Sequence, residues 1–114
     1  MDDELQEKLR TLHFRSDPTI PGVMRGRIED VKFGAVEHPL NGLCLTYWYR
    51  GDRTLVEPTD MFVPREASIA LIASVMLFCF KSVHRTRFPE WNQHRELAHI
   101  IDQCNAVRSD KATT

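Results

Sequence analysis

The chain has 114 residues, of which 42% are hydrophobic and 27% are charged, and this predicts one globular domain over residues 1–114. The composition excludes the disordered, collagenous and disulfide-dense classes of protein. Its 15 Lys and Arg residues nearly balance 16 Asp and Glu residues, so no global field would draw nucleic acid or an anionic membrane to it. Any such partner would need a local patch of charge.

Residues 1–14 are expected to form a short amphipathic helix. Leu5, Leu9 and Leu12 recur at helical spacing, and acidic residues in the first turn suit the positive end of the helix dipole. The segment lacks the basic start and apolar core of a secretory signal, which predicts a cytoplasmic protein. The prolines and glycine of SDPTIPG (16–22) should end the helix and form a linker.

Residues 23–63 carry the signals of β-strands. Arg25 to Ala35 mixes β-branched, aromatic and charged side chains, and Asn41-Gly42 predicts a tight turn. In the strand LCLTYWY that follows (43–49), both faces carry side chains that require cover, so we expect this strand to be central in the sheet.

The end of the β region is expected to be a hairpin. Gly51 favours a turn at 50–53, residues 54–57 would form the returning strand, and Pro58 would end it. Residues 61–63 would add a short further strand or a connection. These bent hairpins resemble in pattern those of small SH3-like β modules, a likeness that names no family.

The first of two predicted helices contains the apolar run ASIALIASVMLFCF (67–80). Pro64 and Glu66 mark its start, and it should end near Arg85. Fourteen residues are too few to span a bilayer, which needs about 20, so no membrane attachment is expected.

The second predicted helix spans residues 90–107, so residues 64–108 form two helices and residues 109–114 a frayed tail. Strands followed by helices favour an α+β fold. We therefore expect an amino-terminal helix, a curved antiparallel sheet of three to four strands, and two carboxy-terminal helices packed on that sheet.

The first of these two helices carries more apolar surface than a small fold should cover. A wide apolar arc that includes Ile69 and Leu77 can pack on the sheet and on the last helix. On the other side, Leu71 and Phe78 project almost in line next to small residues such as Ser74. Either they contact a partner, which is a second copy or another protein, or the amino-terminal helix folds back over them.

The side chains that could carry catalysis or hold a metal are poorly spaced for either role. Cys44, Cys79 and Cys104 are far apart among apolar neighbours, which is typical of reduced, buried cysteines. The helical histidines are five residues from the nearest Cys or His, and HRELAH lacks the HExxH register, so we predict no metal and no cofactor. A site built from Cys44 and His38 would be the alternative for an enzyme or ligand-binding domain.

Arginine and aromatic residues of the predicted strands define a candidate nucleic-acid-binding face. Trp48 and Tyr49 offer flat surfaces on which bases could stack, next to cations that could hold phosphates. These cations are Arg25, Arg27, Lys32, Arg50 and Arg53. Interleaved carboxylates would weaken the field of such a face, namely Glu29, Asp30, Glu37 and Asp52.

The leading expectation is a small non-catalytic protein-interaction module that acts as an adaptor, regulator or inhibitor, with a homodimer through residues 64–85 as one form. Its candidate interface residues are Leu71, Ser74, Phe78, Trp48 and Tyr49. The alternative is the nucleic-acid-binding module. The small size and balanced charge would also suit an accessory protein of a phage or other mobile element.

Overall fold

The computed structural model describes residues 1–51 and 55–113, with side chains described up to residue 110. Helix α1 (Asp3–Thr11) precedes the strands β1 (Arg15–Ser16), β2 (Met24–Ile28), β3 (Val31–His38), β4 (Gly42–Arg50) and β5 (Leu55–Val63). Helices α2 (Ile69–Val83) and α3 (Gln93–Thr113) follow, with a 3₁₀ turn (Arg85–Arg87) between them. The strands form one antiparallel sheet in chain order, so the predicted α+β class is confirmed.

The sheet contains five strands within the described residues, whereas the sequence predicted three to four. The predicted strand from Arg25 to Ala35 is in fact the hairpin of β2 and β3, which reverses at Glu29-Asp30. Glu29 has a φ of 49°, a left-handed conformation that glycine usually supplies, so this turn has no sequence signal. The short β1 is an additional strand that the sequence did not predict, and it pairs with β2. Its second residue, Ser16, is the first residue of the predicted linker, and residues 61–63 belong to β5.

Strand β5 runs through Pro58, where the sequence predicted a strand end. The strand is outermost in the sheet, so its free edge needs no N–H from proline, and its pairing with β4 shifts register between Tyr47 and Tyr49. Residues 52–54, which include the second half of the predicted turn at 50–53 and the start of the returning strand, lie outside the described residues.

The core lies between one face of the sheet and the helices. Alternate residues of β3 and β4 are fully buried there, as the two-residue period of a strand requires, and α1 adds Leu5 and Leu9. Strand β4 is interior, as predicted. On the opposite face most side chains are exposed or half-buried, and we call this the open face of the sheet.

Both long helices differ from the predicted boundaries. Helix α2 begins at Ile69 and not at Pro64, because the Ser68 hydroxyl accepts the N–H of Leu71 and caps the helix there. Helix α3 begins at Gln93 and continues to Thr113, beyond the predicted end at residue 107.

The packing of α2 corrects the predicted exposed ridge of Leu71 and Phe78, which are only 4% and 7% exposed. The Phe78 ring lies 5.5 Å from the Trp91 ring, just ahead of α3, so this side of α2 faces the carboxy-terminal part of the chain. Leu77 and Ile69, expected in the buried arc, are 47% and 37% exposed instead. The two side chains of the predicted ridge therefore belong to the core of the single chain.

Two neighbouring alanine substitutions test this orientation of α2. Phe78→Ala should lower the free energy of unfolding by about 3 kcal/mol or more, because it empties a packed site, whereas Leu77→Ala should cost less than about 1 kcal/mol. Urea denaturation of both variants measures the difference. Similar losses at the two positions, or a larger loss at Leu77, would contradict the orientation.

Candidate nucleic-acid interface

The open face of the sheet brings together most of the cations that the sequence singled out. Arg27 pairs with Lys32 across β2 and β3, and Lys32 pairs with Trp48 of β4. Since paired residues project to the same face, these three side chains form one row. Arg15 and Arg25 occupy the adjacent row. These five residues line an open groove of about 820 Å³, which we call the basic groove.

Gly34 forms part of the floor of the open face and permits close contact between Arg25 and Trp48. A Cβ at Gly34 would lie 3.1 Å from Arg25 Nη1 and 3.7 Å from Cζ3 of Trp48, so a larger side chain would displace the guanidinium. The guanidinium carbon of Arg25 lies 5.4 Å from the centre of the Trp48 ring, which is within cation–π range. The open face therefore has a preformed arginine–tryptophan pair.

Asp17 holds Arg25 from the segment that precedes β2. Its Oδ2 accepts a hydrogen bond from Arg25 Nε at 3.0 Å, and its Oδ1 accepts from the hydroxyl and N–H of Thr19 and from the N–H of Ile20. The two bonds from Thr19, followed by that from Arg25, hold the pKa of the Asp17 carboxyl far below its ordinary value of 3.8. Asp17 is therefore ionised at neutral pH and compensates the charge of Arg25.

The two acidic residues of the β2–β3 turn are engaged by the segment after α2. Glu29 lies 3.6 Å from Nη2 of Arg87, and Asp30 Oδ1 lies 2.7 Å from Nε2 of His84. The hydrogen bond with His84 is the main cause that lowers the pKa of Asp30. Although they lie between Arg27 and Lys32 in the sequence, these carboxylates thus have partners outside the basic groove.

Glu37 is likewise engaged elsewhere, since its Oε1 lies 2.8 Å from Nε of Arg65. By contrast, among the carboxylates of residues 1–51 and 55–110 none lies within ion-pair distance of Arg15, Arg27 or Lys32. The cations of the basic groove other than Arg25 are therefore uncompensated within this part of the chain.

The acidic side of the open face lies on β5. Gly34 of β3 pairs with Thr46 of β4, and Thr46 pairs with Asp60 of β5, so Asp60 lies on the open face. Its Oδ1 accepts a hydrogen bond from the Thr46 hydroxyl at 2.6 Å. The positive part of the open face is therefore confined to β1, β2, β3 and the Trp48 end of β4.

The other candidate residues are dispersed. The Tyr49 ring lies 5.1 Å from that of His84, away from Trp48, and Arg50 is exposed at the end of β4. Arg53 and Asp52 lie outside the described residues. Ser74 is exposed on α2, where its hydroxyl donates to the Ala70 carbonyl.

Sequence reasoning missed Arg15, Asp17 and Gly34 as parts of the site. Arg15 joins the groove because β1 forms, and two residues carry no strand period that could reveal it. Asp17 followed by Thr19 is a recognisable Asx-turn signal, which could have located the turn but not the ion pair with Arg25.

The geometry does not favour the enzyme alternative at Cys44 and His38. Burial raises the pKa of the Cys44 thiol, which keeps it in the poorly nucleophilic neutral form. His38 uses Nδ1 to accept the N–H groups of Leu40 and Asn41. Across the described ranges, no three His, Cys, Asp or Glu side chains converge as a metal site would require.

Comparisons with known proteins provide no information about the role of the basic groove, so its interpretation rests on its geometry. No protein-family model, curated protein or solved structure matches the chain. Within residues 1–51 and 55–113, no helix combines the length and apolar character needed to cross a membrane.

The lowered pKa of Asp17 predicts a pH-dependent contribution to stability. A carboxyl with a depressed pKa in the folded state stabilises that state above its unfolded pKa, and the contribution is lost as the pH falls below it. Asp17→Asn should therefore lower the free energy of unfolding at pH 7, and its difference from wild type should shrink below about pH 4.

Urea denaturation at several pH values measures this difference. Glu90→Gln is the matched control, since Glu90 is exposed and has no hydrogen bond or ion pair with a described residue. A difference for Asp17→Asn that is constant between pH 7 and about pH 3 would contradict the linkage.

Proposed function

We propose that the chain is a nucleic-acid-binding module that holds a single strand in the basic groove. The observation that carries the proposal is the row Arg27, Lys32 and Trp48, in which two uncompensated cations stand beside a half-buried aromatic ring. Cations hold backbone phosphates, and aromatic rings stack bases of any sequence. These are the two components that general binding of a single strand requires.

The form of the open face supports a single strand over a duplex. Readers of the DNA major groove insert a helix or a two-stranded ribbon, whereas here the cations lie on the face of a five-stranded sheet. Stacking on Trp48 requires a base that is not enclosed in a duplex, and aromatic residues on sheet surfaces are a common platform for such bases.

The net charge of −1 does not oppose this proposal, because charges act over a limited range in salt. Interactions between exposed charges are largely screened beyond about 8–10 Å at physiological ionic strength. Glu29, Asp30 and Glu37, the acidic residues nearest in sequence to Arg27 and Lys32, are paired with residues outside the groove. The local charge of the groove, and not the total, governs its attraction for phosphates.

The salt dependence of binding tests the proposal. Wild type should bind labelled single strands of thymidine or uridine of about 12 nucleotides, and affinity should fall linearly with salt on logarithmic axes. Arg27→Ala combined with Lys32→Ala should reduce the slope by about 1.4, since each phosphate contact in a single strand contributes about 0.7. Fluorescence anisotropy measures both quantities.

The matched control removes the same charge from α3, where Arg95 and Arg108 are exposed. Arg95→Ala combined with Arg108→Ala should leave the slope and the affinity nearly unchanged. No binding by wild type would refute the proposed function, and an equal loss in the control would show that the groove is not the site.

The second candidate function is protein binding as a homodimer, and the apolar side chains exposed on α2 favour it. Leu77 and Ile69 lie on the exposed side of this helix, as does Ser74, and Ile101 of α3 is 48% exposed. Exposed apolar groups on neighbouring helices are typical of protein contacts. Roles as an adaptor, regulator or inhibitor, a cytoplasmic location and a mobile-element origin stay predictions.

Leu77→Glu tests the homodimer, because an exposed position accepts the charge without unfolding the chain. Wild type should elute as a dimer in size exclusion with light scattering, and the variant should elute as a folded monomer. Asn105→Glu, at an exposed position on α3, is the control and should remain dimeric. A monomeric wild type at high micromolar concentration would rule this candidate out.

A further inference from the structure

Arg25 differs from the other cations of the basic groove because its charge is already compensated. Asp17 Oδ2 lies 3.0 Å from Arg25 Nε, and the carboxylate is held by further hydrogen bonds in a side chain that is only 11% exposed. An internally neutral pair releases few counterions when a polyanion binds. Arg25 therefore contributes little to the general attraction for phosphates that Arg27 and Lys32 supply.

Arg25 nevertheless retains directed hydrogen-bond donors. A guanidinium has five N–H donors in a fixed planar fork, and the bond to Asp17 occupies the Nε donor. No acceptor within the described residues bonds to Nη1 or Nη2, and the side chain is 43% exposed at the groove. Asp17 on one side and the Trp48 ring on the other restrict its movement. Nη1 and Nη2 of Arg25 are therefore two hydrogen-bond donors held in a fixed position at the groove.

The nearby carboxylate selects the kind of acceptor that fits these donors. A phosphate would be repelled by Asp17, whereas the edge of a neutral base would not be. Guanine presents two adjacent acceptors, O6 and N7, which match an arginine fork. Adenine presents one acceptor and one donor at the same edge, so its amino group would face the donors of Arg25.

We infer that Arg25 is a specificity residue that binds O6 and N7 of an unpaired guanine in a strand held across Trp48, and that Asp17 is its positioning residue. This inference rests on the proposed function and deepens it, because it assigns a preferred base to the same groove. Arg15, Arg27 and Lys32 hold the backbone, and Arg25 reads one base.

A series of single-base replacements in an otherwise uniform thymidine or uridine strand tests the inference. The strand should bind about 10-fold more tightly with one central guanine than with one central adenine. Hypoxanthine, which keeps O6 and N7, should behave as guanine does, and 7-deazaguanine, which lacks N7, should lose most of the gain. Anisotropy titrations at one fixed salt concentration measure these affinities.

Three variants separate base reading from phosphate binding. Arg25→Lys keeps the charge but removes the fork, so it should bring the affinities for the guanine strand and the adenine strand to the same value, whatever its effect on the uniform strand. Asp17→Asn should weaken the preference yet strengthen binding of the uniform strand, since it removes a negative charge. Arg27→Lys, the control, should keep the preference.

The failures of the two proposals are distinguishable. If the uniform strand binds but guanine and adenine strands bind equally, the assignment of Arg25 is wrong and the proposed function stands. The assignment is also wrong if Arg25→Lys keeps the preference, or if it weakens every strand equally. If wild type binds no strand, both proposals fail. The base series on wild type decides the question even where a variant does not fold.

Discussion

The structure depends on a sheet that is covered by helices on only one of its faces. Side chains of a strand alternate between faces, so each residue that β2, β3 and β4 commit to the core places its neighbour on the open face. A core built from Phe33 and Leu45 therefore obliges Lys32 and Trp48 to share the opposite surface. The basic groove is a consequence of this two-layer arrangement, and no separate element builds it.

The positive charge of the open face also depends on the β2–β3 turn. The turn places two carboxylates next to the cations of the groove in sequence, but it docks them on His84 and Arg87 after α2. The helical layer thus accepts the negative charges of the hairpin and leaves the positive ones on the open face. For this reason net charge is a poor guide to the surface of a chain whose acids and bases are sorted by the fold.

The sequence predicted what local signals encode. Leu5 and Leu9 indicated α1, and the alternation of residues 43–49 indicated an interior strand. The cations of residues 25–32 and Trp48, which the sequence had singled out, line the groove together. It did not predict the Glu29-Asp30 turn, since a left-handed glutamate has no compositional signature.

Other features depend on tertiary packing and have no local signature. A helical wheel gives the angle between Leu71 and Leu77 but not which of them is buried, because a wide apolar arc fits several orientations. The ion pair of Asp17 and Arg25 forms only when β1 and the linker fold alongside β2, and no residue spacing in the sequence predicts that arrangement. In this protein, the period of the sequence indicates which segments form strands and helices, whereas the contacts between side chains of different segments depend on tertiary packing.

The outer strand β5 bears on how these molecules behave at high concentration. A nine-residue strand with a free edge, carrying Leu55 and Phe62 exposed near its ends, would by itself offer a template on which copies could join into continuous sheets and aggregate. Pro58 removes one donor from that strand, and the exposed carboxylates Glu57 and Asp60 place like charges where a second copy would add. Pro58, where the sequence predicted the end of the strand, is thus one of the features that oppose the addition of a second copy at this edge.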